Sequence, residues 1–167
     1  MTINKLNFGC GKDIKAGYYN CDIEKGKGID KSFDFNTFPY PYPDNFFDYI
    51  YTDNVIEHLD NIPRIFQELH RISKNNARIR IIVPHYHSYG AYNDVTHTHY
   101  FNHLSFEPFY LPNTRGNYFI KEKFKLISLK LVPTRLGKLI ITPLRLPLSY
   151  VFGQIFQTID ISLKVSK

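Results

Sequence analysis

One feature constrains this chain more than any other: a short, half-apolar run, Lys5-Leu6-Asn7-Phe8, that stops at the closely spaced glycines of Gly9-Cys10-Gly11. Its alternation predicts a strand, and the glycines predict a turn free of side-chain bulk directly after it. Glycine there lets another backbone or a ligand approach closely. About ten residues on, Gly17-Tyr18-Tyr19-Asn20-Cys21-Asp22-Ile23 predicts a second strand with a carboxylate at its C-terminal end. In an open parallel sheet, ligands sit outside the carboxyl ends of the strands, where such an acid can accept hydrogen bonds from the vicinal hydroxyls of a ribose. Taken alone, the glycine pair reads equally well as a plain strand-to-helix turn.

The rest of the chain repeats the alternation of strands and connections. Residues Glu24 to Asp30 form a polar loop, Ser32 to Asn36 a short strand with Asp34 near its end, and Pro39, Pro41 and Pro43 an extended aromatic loop. Phe46 to Tyr51 predicts the next strand, and Thr52-Asp53-Asn54 offers N-cap chemistry for a helix through Val55, Ile56 and Leu59. That helix breaks near Asn61-Ile62-Pro63 and resumes with Ile65, Phe66, Leu69 and Ile72 at helical spacing, Pro63 lying in the first turn. A turn at Ser73 to Ala77 leads into the strand Arg78 to Pro84, Leu104 to Leu111 is a short helix, and Tyr118 to Val132 and Ile159 to Val165 are final strands that should pair as neighbours. The pattern predicts one α/β domain over residues 1–167, a three-layer Rossmann-like sandwich whose mostly parallel sheet carries one antiparallel C-terminal strand.

Composition bounds the function classes. With 43% hydrophobic and 22% charged residues in 167, the chain is neither disordered nor fibrous. No apolar run reaches the roughly 18 residues of a membrane span, and the N-terminus lacks the layout of a signal peptide, so a cytoplasmic location is expected. Cys10 and Cys21 make neither a disulfide framework nor a metal knuckle and read as small buried fillers. The net charge of +6 is uneven: residues 1–114 hold 11 Lys and Arg against 13 Asp and Glu, whereas residues 115–167 hold 10 against 2. A basic C-terminal third suits a phosphorylated substrate, a nucleic acid or an anionic membrane face, or is a solvated surface.

Taken together, LNFGCG, GYYNCDI, FDFNTFPYPYPDNFFDYIYTDNVIEHL and ELHRISKNNARIRIIVP stand in the order of the class I S-adenosylmethionine-dependent methyltransferases, and the chain resembles their small type 11 branch over about residues 5–110. DVTHTHYFNHLSF is also similar to a segment of that branch, with Val95 where a proline is usual. The resemblance implies S-adenosylmethionine as cofactor. Gly9, Cys10 and Gly11 would pass its methionine part, Asp22 would hold the ribose, Asp34 and Phe35 the adenine, and Asp53 and Asn54 would lie near the sulfonium and amine. Two positions depart from the family pattern, Asn7 for an acid and Asp13 for a glycine.

Methyl transfer from a sulfonium calls for alignment and proton removal rather than for a metal, so no metal ligand is expected and a base should stand past the strand ends. Five histidines, His85, His87, His97, His99 and His103, crowd that region. His97 is the first candidate, with Asp94 to orient it, and His58 the second; each could equally be a hydrogen-bonded loop residue. The implied acceptor is a small-molecule or glycan oxygen, and no nucleic-acid-binding module is evident. Two other classes compete. One is a non-catalytic binding protein of the same fold, since the chain starts almost at the first strand, without the helix that commonly covers the cofactor; the other is a metal-dependent hydrolase using Asp94, His97, His99 and His103. Finally, Leu136 to Phe156 combines a high apolar load with Lys138, Arg145, Pro143 and Pro147. It is expected to be a buried cover for the sheet, with a homodimer contact or a peripheral membrane element as the alternatives.

Overall fold

Lys5–Phe8 (β1) carries Leu6, Asn7 and Phe8 almost fully buried, as a central strand covered on both faces requires. The structure, a computed structural model, describes residues 3–112, 114 and 120–167. Six further strands join β1: Tyr19–Asp22 (β2), Lys31–Ser32 (β3), Phe47–Asp53 (β4), Ser73–Pro84 (β5), Lys123–Pro133 (β6) and Phe156–Ser166 (β7). Their order is β3-β2-β1-β4-β5-β7-β6. The first five are parallel, and β7 lies antiparallel to both β5 and β6. The Rossmann-like, mostly parallel sheet and its antiparallel C-terminal strand are therefore as the sequence predicts. The order reverses between β1 and β4, and such a reversal opens a crevice at the strand ends.

Among the described residues, three α-helices accompany the sheet: Ile62–Ile72 (α1), Glu107–Tyr110 (α2) and Thr142–Ser149 (α3). α1 buries Ile65, Phe66, Leu69 and Ile72, and Phe66 stacks on Phe109 of α2 at 3.7 Å between ring centroids. The helical piece expected after Thr52-Asp53-Asn54 is only a 3-10 turn, Ile56–His58, with Asp53 ending β4 and Asn54 at a φ of 53°; α1 starts after the expected break, with Pro63 in its first turn and Asn61 capping it by accepting from Arg64 N at 3.0 Å. The buried Glu68 of α1 accepts from Tyr40 N at 2.8 Å and pairs with Arg71 at 2.7 Å, and Arg71 also donates to the carbonyls of Tyr40 and Tyr42. Burial alone would raise the Glu68 carboxyl, but Arg71 and the Tyr40 amide more than reverse it. This knot pins the proline loop to α1.

Other boundaries shift for local reasons. Of the expected third strand, Ser32 to Asn36, only Ser32 pairs with β2, joined by Lys31 before it, because Phe33 and Phe35 turn inward to join Phe8 and Tyr40. The turn expected at Ser73 to Ala77 is absorbed into β5, where Asn76 adopts a φ of 68° and the register jumps from Phe47↔Ser73 to Tyr49↔Arg78. The strand expected from Tyr118 starts at Lys123; Tyr118 and Phe119 lie outside the described residues. β6 and β7 pair as neighbours from Lys123↔Ser166 to Pro133↔Phe156, with register shifts after Leu126 and Val132. Both cysteines are free and buried, and burial pushes the Cys21 thiol up to about 12.

The buried cover is not what forms. The segment 136–152 projects as an arm whose Leu136, Leu139, Ile141, Leu144, Val151 and Phe152 are exposed, Leu139 to 82%. Its neck is closed by Gly137, where a Cβ would stand 2.0 Å from Ile155 O, and by Arg145, which donates to Gly137 O and Ile140 O at 2.9 Å. Among the described residues, no helix is long and apolar enough to cross a membrane.

His85, directly after β5, is 1% exposed. Burial, aided by His87 and His103 nearby, holds its imidazole down at about 4, against an ordinary value of 6.5. The unfolded chain therefore takes up a proton first as the pH falls, and stability present above pH 6.5 is lost progressively toward pH 4. Linkage puts the loss at up to about 3 kcal/mol. Urea unfolding measured between pH 7 and pH 4 should show it, and His85→Gln should remove this part of the slope.

Candidate active site

The crevice between β1 and β4 holds a cavity of about 350 Å³ lined by Gly9, Gly11, Asp22, Ile23, Asp34, Phe35, Asn36, Asn54, Val55, His58 and Leu59. Its floor depends on Gly9. With a φ of 71° and Val55 Cγ2 only 2.3 Å from where a Cβ would be, this position admits no side chain. The Gly9 and Cys10 amides both donate to Cys21 O at 2.9 Å, which lashes the glycine turn to the end of β2. Asp22 then accepts from Gly11 N at 2.7 Å.

The departure at Asn7 has a physical reason. Its buried amide donates to Asp13 O at 2.7 Å and to Asn20 Oδ1 at 2.9 Å, two acceptors that a carboxylate could not satisfy. Asn20 in turn accepts from Lys15 N and donates to Lys15 O and Tyr18 O. This amide knot organises residues 9–18, which form turns rather than a helix.

Of the eight cofactor positions expected from the resemblance, Gly9, Gly11, Asp22, Asp34, Phe35 and Asn54 line the cavity. Cys10 and Asp53 do not. Cys10 is buried behind the turn, and Asp53 is held by Tyr51 Oη at 2.7 Å and Asn54 Nδ2 at 2.9 Å. Phe35 is fixed by stacking on Phe8 at 4.0 Å, and Asp34 accepts from Asn36 N at 2.8 Å. An apolar ring beside two carboxylates and a side-chain-free turn is a donor set that fits an adenosine with an attached amino acid.

Past the strand ends, the histidine loop folds back onto the 3-10 turn Ile56–His58. Thr98 N and His99 N donate to Glu57 O at 2.9 and 3.1 Å, which sets the His97 ring 4.6 Å from that of His58. Asp94 reaches His58 rather than His97. The Thr96 hydroxyl gives its proton to Asp94 Oδ1 at 2.7 Å, so its oxygen accepts from His58 Nδ1–H at 2.8 Å. His97 Nδ1–H donates to Ala91 O at 2.9 Å. Both rings thus keep an Nε2 lone pair. The hydrogen bonds from Thr96 hold the Asp94 carboxyl below its usual range.

Asp94, His97, His99 and His103 are not gathered into one centre. His99 Nε2 meets Asp60 O, and His103 lies against Tyr150 on the arm side. Among the described residues, Glu57, His58 and His97 come together instead. Sequence reasoning passed over Glu57. Its signal was a carboxylate set between Ile56 and His58 in the apolar run Val55 to Leu59. It is 1% exposed, and burial pushes its carboxyl up to about 7, against the pull of its own backbone amide and of His97.

The comparisons agree with the fold. A family model described as a methyltransferase domain matches residues 30–81. Among solved structures, a SAM dependent methyltransferase from Archaeoglobus fulgidus superposes with a TM-score of 0.66 at 17% identity, over 97% of this chain and 86% of that one. The YcgJ protein from Bacillus subtilis gives 0.63 at 13%, over 99% and 93%. A Haloferax volcanii protein solved in complex with the Trm112 methyltransferase activator gives 0.64 at 11%, over 99% and 84%. No curated protein matches the sequence.

Asp22→Ala should weaken S-adenosylmethionine binding by about 1.5–3 kcal/mol, the range for a hydrogen bond to a charged acceptor. Asp22→Asn, which can still accept from Gly11 N, should weaken it less. Calorimetric titration of both variants checks this, and an unchanged affinity would take Asp22 out of the site.

Proposed function

We propose, from a chain that carries a match to the methyltransferase domain and the fold of class I S-adenosylmethionine-dependent methyltransferases, that this protein is a cytoplasmic enzyme methylating a hydroxyl of a sugar or other small molecule. The observation that carries this reading is the juxtaposition of the cavity with proton-accepting groups, since His58 belongs both to the cavity lining and to the Glu57, His58, His97 group. S-adenosylmethionine supplies an electrophilic methyl on a sulfonium. In this reading Gly9, Gly11, Asp22, Asp34, Phe35 and Asn54 hold it, and the Glu57, His58, His97 group activates the acceptor. A hydroxyl must lose its proton to become a good nucleophile, and the group at the cavity edge promotes that loss.

A second cavity favours a sugar as acceptor. About 310 Å³ in volume, it is lined by His87, Ser88, Tyr89, Tyr92, Asn93 and Gln154, and aromatic faces beside amides and hydroxyls suit a polyhydroxylated ring. Its wall is tied to the histidine pair, because the carbonyl that fixes His97 belongs to Ala91, between Tyr89 and Tyr92. In a panel of nucleotide sugars, small metabolites and RNA, methyl transfer to a sugar or metabolite hydroxyl is expected, and transfer to RNA alone would overturn the choice. His97→Ala should lower turnover by about 100-fold or more with unchanged S-adenosylmethionine affinity, whereas His99→Ala should stay close to the parent.

The arm adds a location for the acceptor. Between Thr134 and Thr158 the chain has Arg135, Lys138 and Arg145 and no carboxylate, and the arm meets the second cavity where Ser149 O accepts from His87 Nδ1–H at 2.8 Å and Gln154 N donates to His87 O. Exposed apolar side chains with only positive charge fit an anionic lipid surface, and hence a lipid-linked acceptor. Sedimentation with anionic vesicles should carry the protein down at low salt, less at moderate salt, and Leu139→Asp with Phe152→Asp should abolish it. A dimer in light scattering that ignores vesicles would assign the arm to a second copy of the chain instead.

A further inference from the structure

Glu57 is the least satisfied charged side chain near the site. It is 1% exposed, and among the described residues neither carboxylate oxygen has a hydrogen-bond partner. Leaving a buried polar group unpaired disfavours folding, more so when it is charged, so this glutamate calls for a counterpart. The geometry offers the place for one. One carboxylate oxygen of Glu57, one ring nitrogen of His58 and one of His97 all lie within 4.8 Å of one another.

Both rings are already set as ligands. His58 gives its Nδ1 proton to the Thr96 hydroxyl, itself held by Asp94, and His97 gives its Nδ1 proton to Ala91 O. A ring N–H committed to a carbonyl or to a carboxylate relay is the arrangement around metal-ligating histidines, because it fixes the tautomer and aims the remaining lone pair. Three protein ligands also leave coordination positions open for a substrate oxygen.

We propose that Glu57, His58 and His97 bind a divalent transition-metal ion, and that its open positions take the acceptor hydroxyl; the second part rests on reading the adjacent cavity as the methyl-transfer site. Two imidazoles and one carboxylate suit ions such as Mn²⁺, Co²⁺ or Zn²⁺ rather than Mg²⁺ or Ca²⁺, which favour oxygen shells. The ion acts as a Lewis acid on the acceptor. The O–H bond breaks heterolytically, the proton leaves to solvent water, and the electron pair stays on the acceptor oxygen. Asp94 is then a positioning residue, acting on His58 through Thr96.

The test uses tag-free, full-length protein, stripped with a chelator and titrated with CoCl₂ by calorimetry and visible absorption. One equivalent should bind with d–d bands, and His97→Ala and Glu57→Gln should each lower the Co²⁺ affinity about tenfold or more. His97 is a half-buried residue in a largely exposed loop, so its variant tests the site even where Glu57→Gln fails to fold. His99→Ala should bind like the parent. Absence of Co²⁺ uptake, or equal uptake by the parent and His97→Ala, overturns the proposal. S-adenosylmethionine titrations on the same samples separate the two readings. Protein that binds S-adenosylmethionine but takes up no Co²⁺ loses the cation site and keeps the transfer reading. Protein that holds Co²⁺ through His97 but binds no S-adenosylmethionine keeps the cation site and loses the transfer reading.

Discussion

The pairing of β1 with β4, Leu6 opposite Ile50 and Phe8 opposite Thr52, is the constraint on which the rest depends. The two strands are separated in sequence by β2, β3 and the proline loop, yet they lie side by side because the chain winds outward in one direction from β1 and in the other from β4. Connections leaving two such strands diverge, and the gap between them is where a ligand can enter. That gap forms only if Gly9 and Val55 pass each other. With any side chain at Gly9 the turn and the segment after β4 would collide, and the cavity floor would be lost together with the approach of its walls.

The far side of the gap is built by long-range polar contacts. The carbonyl of Glu57 receives two amides from residues about forty positions later, and with the Thr96–His58 bond this turns a histidine-rich loop into the neighbour of His58. The same fold-back leaves the Glu57 carboxylate buried beside the His58 and His97 rings without a hydrogen-bond partner among the described residues. Such an arrangement disfavours folding by itself, and proteins retain strained or unsatisfied groups chiefly where chemistry uses them. On the near side, by contrast, the Asn7 and Asn20 amides are fully engaged. Turns held by buried amides replace a helix there, and the glycine turn stays rigid through hydrogen bonds instead of helical packing.

The arm shows how the same chain can fail to bury what it might. Pro143 lies in the first turn of α3 and Pro147 interrupts it, so the helix spans only Thr142–Ser149 and lays no long apolar stripe on the sheet. Gly137 and Arg145 then fold the segment onto its own neck. Its outward leucines, isoleucine, valine and phenylalanine are too many to be scattered surface residues. A fold shared with distant structures says nothing about such a feature, because function resides in what is grafted onto the fold.

By itself, the sequence determined the elements whose signals are local. The strand at Lys5 to Phe8, the glycine turn, the acid closing β2, the apolar stripe of α1 and the β6–β7 pair are all written in short-range periodicity or turn chemistry. Six of the cavity-lining residues were legible through the resemblance to the methyltransferase family, which carries roles onto the segments that follow its strands. Only the tertiary structure decided which of the histidines matter. Their loop has no periodicity, and its shape comes from hydrogen bonds to Glu57, Ala91 and Asp60 that no local pattern encodes. It also decided that Asp94 serves His58 through Thr96, that Glu57 is buried, and that the 136–152 segment stands off the sheet. Burial and partnership are properties of what the folded chain brings close, and residues forty positions apart acquire them only once the sheet has set the distance between their loops.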